Sequence, residues 1–268
     1  MISVVVPFFN EEGNVDFVLH EIVDTLKTVG QPFEIIAVND ASTDGTGDCL
    51  TRASVRIPEL RVITHPHNRG QVGALWSAFN VIRGDIVITI DGDRQNDFRD
   101  VPRLLPLLQD HDAVFGQRMK RQDPWHKKVA TRIGYGVRNF FLRDGIYDTA
   151  CPLKLLKKET LKYLIPFEGV QRFVPFLLKE AGVSYVTAEV NHRPRVSGVS
   201  KFSIRKGYFI PTIFDLAAMV WYQKRNVFGI RRRVEVRPGP FGSQPRHWVI
   251  FFLFIAAVVF FCYQLSFL

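Results

Sequence analysis

Residues 86–97 read Ile-Val-Ile-Thr-Ile-Asp-Gly-Asp-Arg-Gln-Asn-Asp, and this stretch constrains the fold more than any other. Residues 86–90 are apolar and mostly β-branched, which suits a strand buried within a parallel sheet. The run ends in Asp91 and Asp93, with Gln95 just beyond. In open α/β sheets the ligand crevice lies at the carboxyl ends of the strands. Two carboxylates flanking Gly92 can hold one hard divalent cation, since Mg²⁺ takes one or two carboxylates and completes its shell with substrate phosphates. The competing reading is a polar turn that merely ends the strand, because Asp and Gly are common turn formers.

The flanking segments alternate in the manner of a doubly wound sheet. Residues 2–6 are an apolar run stopped by Pro7, and residues 33–38 form a second run ending at Asn39 and Asp40. Between them Val15, Val18, Leu19, Ile22, Val23 and Leu26 recur at helical spacing, with Gly30 as the stop. A helix toward Val55, a short strand at 60–64 and a helix over 70–82 precede the central strand. Beyond it we expect a helix to Leu108 and a strand over 113–116. A returning strand over 148–155, a helix over 170–181 and a strand over 183–190 follow. This order predicts a mostly parallel α/β sheet flanked by helices.

The formal charge is +9, and the excess is local. Residues 118–143 carry eight Lys/Arg against one acid, Asp123, with Trp125, Ile133, Tyr135 and Phe140 interleaved. Residues 223–247 carry seven against one, Glu235. Such patches suit nucleic acid, phosphorylated substrates or anionic lipid equally. Cys49, Cys151 and Cys262 have neither disulfide nor zinc spacing, so a reduced environment is expected. The chain opens directly as a strand, so no signal peptide is expected.

The last third changes character. Residues 248–268 form an uncharged 21-residue apolar run, which at about 1.5 Å per residue spans a bilayer core of roughly 30 Å. Arg231, Arg232, Arg233, Arg237 and Arg246 precede it, and positive flanks stay cytoplasmic. Residues 208–222 are too short to span and contain Pro211 and Asp215, so they read as an interfacial helix or a core helix. The expected organisation is a catalytic domain over 1–205, an interfacial region over 206–228, a basic linker over 229–247 and a transmembrane helix over 248–268. The catalytic part would face the cytosol, at the inner membrane if the source is bacterial.

No G-x-G-x-x-G phosphate loop is present, so a metal must carry a diphosphate if one binds. The segments 4–12 (Val-Val-Val-Pro-Phe-Phe-Asn-Glu-Glu), 38–46 (Val-Asn-Asp-Ala-Ser-Thr-Asp-Gly-Thr) and 91–97 resemble the family 2 glycosyltransferases. Residues 192–202, His-Arg-Pro-Arg-Val-Ser-Gly-Val-Ser-Lys-Phe, are similar to the polyprenyl-phosphate branch. That branch includes dolichol-phosphate mannose synthase and the bacterial undecaprenyl-phosphate sugar transferases. The resemblance covers about residues 1–205 and implies a GT-A (Rossmann-like) fold. It implies that Pro7, Phe9, Glu11 and Asp40 line the nucleoside pocket, and that Asp91, Gly92, Asp93 and Gln95 hold the diphosphate and a Mg²⁺ or Mn²⁺ ion. It further implies that Arg118, Arg132 and Arg195 bind the lipid phosphate or leaving diphosphate, with Ser200 and Lys201 beside them. Asn39 departs from the pattern, since relatives often carry a second Asp there.

The implied reaction transfers a sugar, with inversion, from a GDP- or UDP-linked donor to a polyprenyl phosphate at the membrane. Its partners would be donor, lipid acceptor and bilayer, without nucleic acid, and self-association is left open. A lipid phosphate has a second pKa of about 6 and needs no general base. A saccharide or lipid hydroxyl acceptor would need one, and Asp144 or Asp148 is the candidate. A non-enzymatic alternative is a basic membrane-tethered module binding anions through residues 225–246. His65, His67 and His192 lack metal spacing and read as surface or packing residues.

Overall fold

The structure, a computed structural model, describes residues 1–118, 125–194 and 209–225. They divide into two compact units. Residues 123–147 fall in the smaller one, and the strands below all belong to the larger. The transmembrane segment expected at 248–268 and the linker at 229–247 lie outside the described residues, as do Arg195, Ser200 and Lys201.

The larger unit is built on a seven-stranded sheet. Its strands are β1 (Ile2–Phe8), β2 (Phe33–Asn39), β3 (Leu60–Thr64), β4 (Ile86–Thr89), β5 (Ala113–Gln117), β6 (Lys154–Lys157) and β7 (Tyr185–Glu189). Their spatial order is β3-β2-β1-β4-β6-β5-β7. β1 pairs in parallel with both β2 and β4, and β5 with β7, while β6 runs antiparallel between β4 and β5. The expected mostly parallel α/β sheet is therefore present. Val4, Val6, Ile35, Ala37 and Ile88 are fully buried in one cluster with Leu19, Ile22 and Leu26 of α1 (Val15–Val29). α2 (Thr46–Arg56) and α3 (Gly70–Phe79) return the chain to β3 and β4.

Local departures from the expected elements have local causes. The helix expected between Asp97 and Leu108 is a series of short turns around α4 (Val101–Leu104), with Pro102 and Pro106 each near the start of a new turn. The returning strand begins at Lys154 rather than 148, because Asp148 is turned into an ion pair and residues 148–153 run as loop. The helix expected over 170–181 is a 3₁₀ turn followed by α6 (Val174–Glu180), with Pro175 in the first helical turn. The basic segment holds α5 (Trp125–Leu142), and the final described element is α7 (Phe209–Arg225). Among the described residues no helix is long and apolar enough to cross a membrane.

Candidate active site

The carboxyl ends of β1, β2, β3 and β4 lie side by side, and the ladder continues a residue past them. Asp40 N–H donates to the Phe8 carbonyl at 2.9 Å, His65 N–H to that of Asn39 at 2.9 Å, and Ile90 N–H to that of Val5 at 3.2 Å. Asp40, His65 and Asp91 thus arrive together at one edge. Pro7 and Phe9 are half-buried there. Glu11 is buried, with its carboxylate accepting from Asn14 Nδ2 at 2.6 Å and its N–H donating to Thr46 Oγ1 at 2.9 Å. Asn10, in the left-handed region at φ 53°, ties this loop to Thr43 through a 2.8 Å bond.

Asp40 is the most enclosed of the four expected nucleoside-pocket residues, at 3% exposure. Its Oδ1 meets His65 Nδ1 at 2.7 Å and accepts from the Arg69 N–H at 2.8 Å. The other ring nitrogen of His65 lies 2.8 Å from Ser77 Oγ on α3. His65 is the packing residue its sequence suggested, but what it packs is Asp40. Its position just past β3, matching that of Asp40 past β2, was the signal available.

Asp91 and Asp93 stand just past β4 in a loop seated on Phe8. A Cβ at Gly92 would overlap the Phe8 ring, so only glycine lets the loop lie that close. Asp93 Oδ1 accepts from Gln95 N–H at 3.1 Å across the left-handed Arg94 (φ 63°), which fixes the turn. Gln71, in the first turn of α3, donates its amide to Asp91 Oδ1 at 2.6 Å. Burial and the neighbouring Asp93 charge push the Asp91 carboxyl up to about 6, with Lys154, Gln71 and Arg118 drawing it back down. A carboxylate so penalised is what an added cation relieves. Among the described residues no group of three or more His, Cys, Asp or Glu is placed to hold a metal ion. Two carboxylates one residue apart fit a hard cation that takes oxygens from its substrate as well as from protein.

Behind this pair lies a second charged group. Arg118, just past β5, forks onto Asp148 through Nε at 2.6 Å and Nη2 at 2.9 Å, both side chains nearly buried. Two of its five guanidinium donors are thereby committed. Lys154, at the start of β6, donates to the Cys151 carbonyl, and its burial lowers its pKa against the pull of Cys151 and Asp91. Gln71 and Lys154 were not anticipated. Lys154 sits at an inward-facing position of the apolar run 152–156, which is a readable anomaly, whereas nothing in helical periodicity marks Gln71. Arg132 is exposed on α5 in the smaller unit, where Arg138 pairs with Asp144.

A family profile described as "Glycosyl transferase family 2" matches residues 3–164, more than half of the 268-residue chain. The chain belongs to glycosyl transferase family 2. Within the family it is similar to the undecaprenyl-phosphate 4-deoxy-4-formamido-L-arabinose transferases of Edwardsiella ictaluri (31% identical) and Serratia proteamaculans (33%). Each match runs over 218 residues, 80% of this chain and 66% of the relative. The chain thus spans about two thirds of the length of these curated relatives. The fold is similar to that of glucosyl-3-phosphoglycerate synthase from Mycobacterium tuberculosis, solved with Mn²⁺, UDP-glucose and glycerol 3-phosphate. There the TM-score is 0.53 at 22% identity, covering 84% of this chain and 77% of that one. This family 2 chain therefore has a GT-A-like α/β sheet with flanking helices.

Proposed function

We propose that this chain transfers a sugar, with inversion, from a nucleotide-diphosphate sugar to a polyprenyl phosphate at a membrane surface. The observation that carries the reading is the Asp91–Asp93 pair just past β4, two carboxylates one residue apart at the carboxyl edge of the sheet, where burial and the Asp93 charge raise the Asp91 pKa against Lys154, Gln71 and Arg118. A divalent cation, Mg²⁺ or Mn²⁺, held by Asp91 and Asp93 near Gln95, would supply charge neutralisation at the departing diphosphate. The relatives named for undecaprenyl phosphate support the acceptor class, and the Mn²⁺-bound fold neighbour supports the metal.

The chain's own residues then do the rest. Pro7, Phe9, Glu11 and Asp40 form the nucleoside end, with His65 and the Arg69 N–H holding the Asp40 carboxylate still. Arg118 is held by Asp148 and presents positive charge beside Asp91, and the acceptor-phosphate roles of Arg132, Arg195, Ser200 and Lys201 are carried over from the family resemblance. A phosphate oxygen of the acceptor attacks the anomeric carbon, the bond to the diphosphate breaks, and the nucleotide leaves with the electron pair. No proton has to be removed, because the acceptor is already an anion.

One specific feature disfavours a hydroxyl acceptor. Both candidate bases are engaged by arginine: Asp148 by Arg118 and Asp144 by Arg138. Each carboxylate is already occupied by a guanidinium and enclosed, so neither is presented to the hydroxyl of an acceptor. At the surface, α7 exposes Phe214 (70%) and Trp221 (62%) on one stripe with Ala217 and Ala218, and Arg225 lies near the Trp221 ring at its end. An apolar stripe ending in cations suits the interface of an anionic bilayer, with residues 248–268 as the anchor and the catalytic part on the cytosolic face.

The test is radiolabelled transfer from a panel of GDP- and UDP-sugars into a prenyl phosphate and into the matching prenyl alcohol. Transfer to the phosphate alone is expected, lost in excess chelator. Transfer to the alcohol, or full activity without divalent metal, would refute the reading.

A further inference from the structure

Residues 192–202 carry the resemblance to the polyprenyl-phosphate branch, with Arg195, Ser200 and Lys201 as its acceptor-phosphate residues. The first two residues of the segment point elsewhere. His192 forms an antiparallel bridge with Asn96, and Arg193 N–H donates to the Gln95 carbonyl at 2.7 Å. The Arg193 side chain then reaches past that loop. Its Nη2 lies 2.6 Å from Glu21 Oε2 on α1 and 2.6 Å from Asp97 Oδ1. Glu21 closes the ring by accepting the Phe98 N–H on Oε1 at 3.0 Å. Arg193 and Arg94 also face the Phe17 ring, at 5.7 and 3.6 Å from its centroid. The three charged side chains of the ring are largely enclosed, at 23% exposure for Arg193, 12% for Glu21 and 9% for Asp97.

We infer that Arg193 is a positioning residue for the donor side, clamping the loop 91–97 against α1 rather than binding the acceptor. The loop leaves β4 through a left-handed Arg94, and its local ties are an Asx-type turn at Asp93 and the pairing of Asp97 with the N–H and guanidinium of Arg99. Its far end is held by groups that come from distant parts of the chain: Glu21 from before it, Arg193 from well after it. Residues that orient a coordinating loop without touching the ligand set how well that loop is organised before the ligand arrives. The motif is then bipartite, with its first two residues serving the donor and metal loop. The inference rests on the donor reading proposed above.

The experiment measures binding of Mn²⁺ with UDP, and of Mn²⁺ with GDP, to the full-length protein by calorimetry, alongside thermal melts and steady-state kinetics. Arg193→Met is expected to weaken binding of the preferred nucleotide about tenfold, the lower end for residues supporting a metal site. It should raise the donor KM and leave the acceptor KM unchanged. Arg193→Lys should recover part of the loss, because one ammonium can still reach Glu21 or Asp97. Glu21→Gln, which keeps Arg193, should reproduce the donor-side defect in weaker form. If Arg193→Met raises the acceptor KM instead, or lowers only the melting temperature while nucleotide binding stays at the wild-type level in all three variants, the inference is overturned. Wild type binding neither nucleotide would overturn it together with the donor reading.

Discussion

Glu34 and Asp91 sit at opposite edges of the same sheet, and their surroundings treat charge in opposite ways. At the amino-terminal edge, Glu34 accepts from Ser3 Oγ at 2.7 Å, from Arg83 N–H at 2.6 Å and from Arg61 Nη1 at 2.9 Å. Ser3 Oγ in turn accepts from Gly84 N–H at 2.8 Å. Burial alone would raise the Glu34 pKa, but these donors outweigh it and hold the carboxyl below its usual range. At the carboxyl edge, Asp91 has Asp93 for a neighbour and is pushed the other way. One edge closes its polar groups on one another and contributes stability. The other sets two carboxylates side by side, so that Gln71, Lys154 and Arg118 only partly offset the rise in the Asp91 pKa.

The largest expected effect that could break this comparison is on catalysis. Asp91→Asn should reduce transfer by at least about a hundredfold, a loss of the size seen when one charge-stabilising group is removed. The same substitution should raise the melting temperature of the metal-free protein, since it removes the repulsion between Asp91 and Asp93 that raises the Asp91 pKa. A variant that loses stability along with activity would make Asp91 a structural residue like Glu34.

Next in size is Glu34→Ala, expected to cost about 3 kcal/mol by leaving several buried donors without their shared acceptor. Denaturant unfolding would measure it, and activity per folded molecule should not change.

The smallest effect is on pH dependence, and here the two edges should be separable in one titration. Glu34, with a depressed folded pKa, contributes stability above the ordinary Glu value and loses it as pH falls through the lower folded value. Asp91, with a raised one, penalises the fold at neutral pH and is relieved as pH falls through about 6. Metal-free protein should therefore melt higher at pH 5 than at pH 7, then lower again below pH 4. Asp91→Asn should flatten the first limb and Glu34→Gln the second. Identical profiles in the two variants would erase the distinction between the edges.

How much of this could be read beforehand differs along the chain for physical reasons. β1, β2 and β4 were legible because strands buried on both faces are written as unbroken apolar runs, and because Asp40 and Asp91 cut those runs off at the edge where ligands bind. β6 was less so. It is four residues long, begins with a buried lysine, and takes its place from pairing with Thr89 and Phe115, which are distant in sequence. The partners of the expected carboxylates were hidden for the same reason. Gln71 and His65 acquire meaning only when α3 and β3 are laid beside β4 and β2, and Arg193 only when the end of β7 returns to the loop after β4.

The reversed strand has a further consequence. Because β6 runs against its neighbours, its first residue lies opposite Thr89 and Phe115, at the reactive edge, and Thr89 Oγ1 donates to the Pro152 carbonyl there at 2.7 Å. A parallel strand in that slot would have sent residues 148–153 to the far side of the molecule. A single change of direction thus brings the loop that carries Asp148 to the edge where Asp91 and Asp93 leave β4.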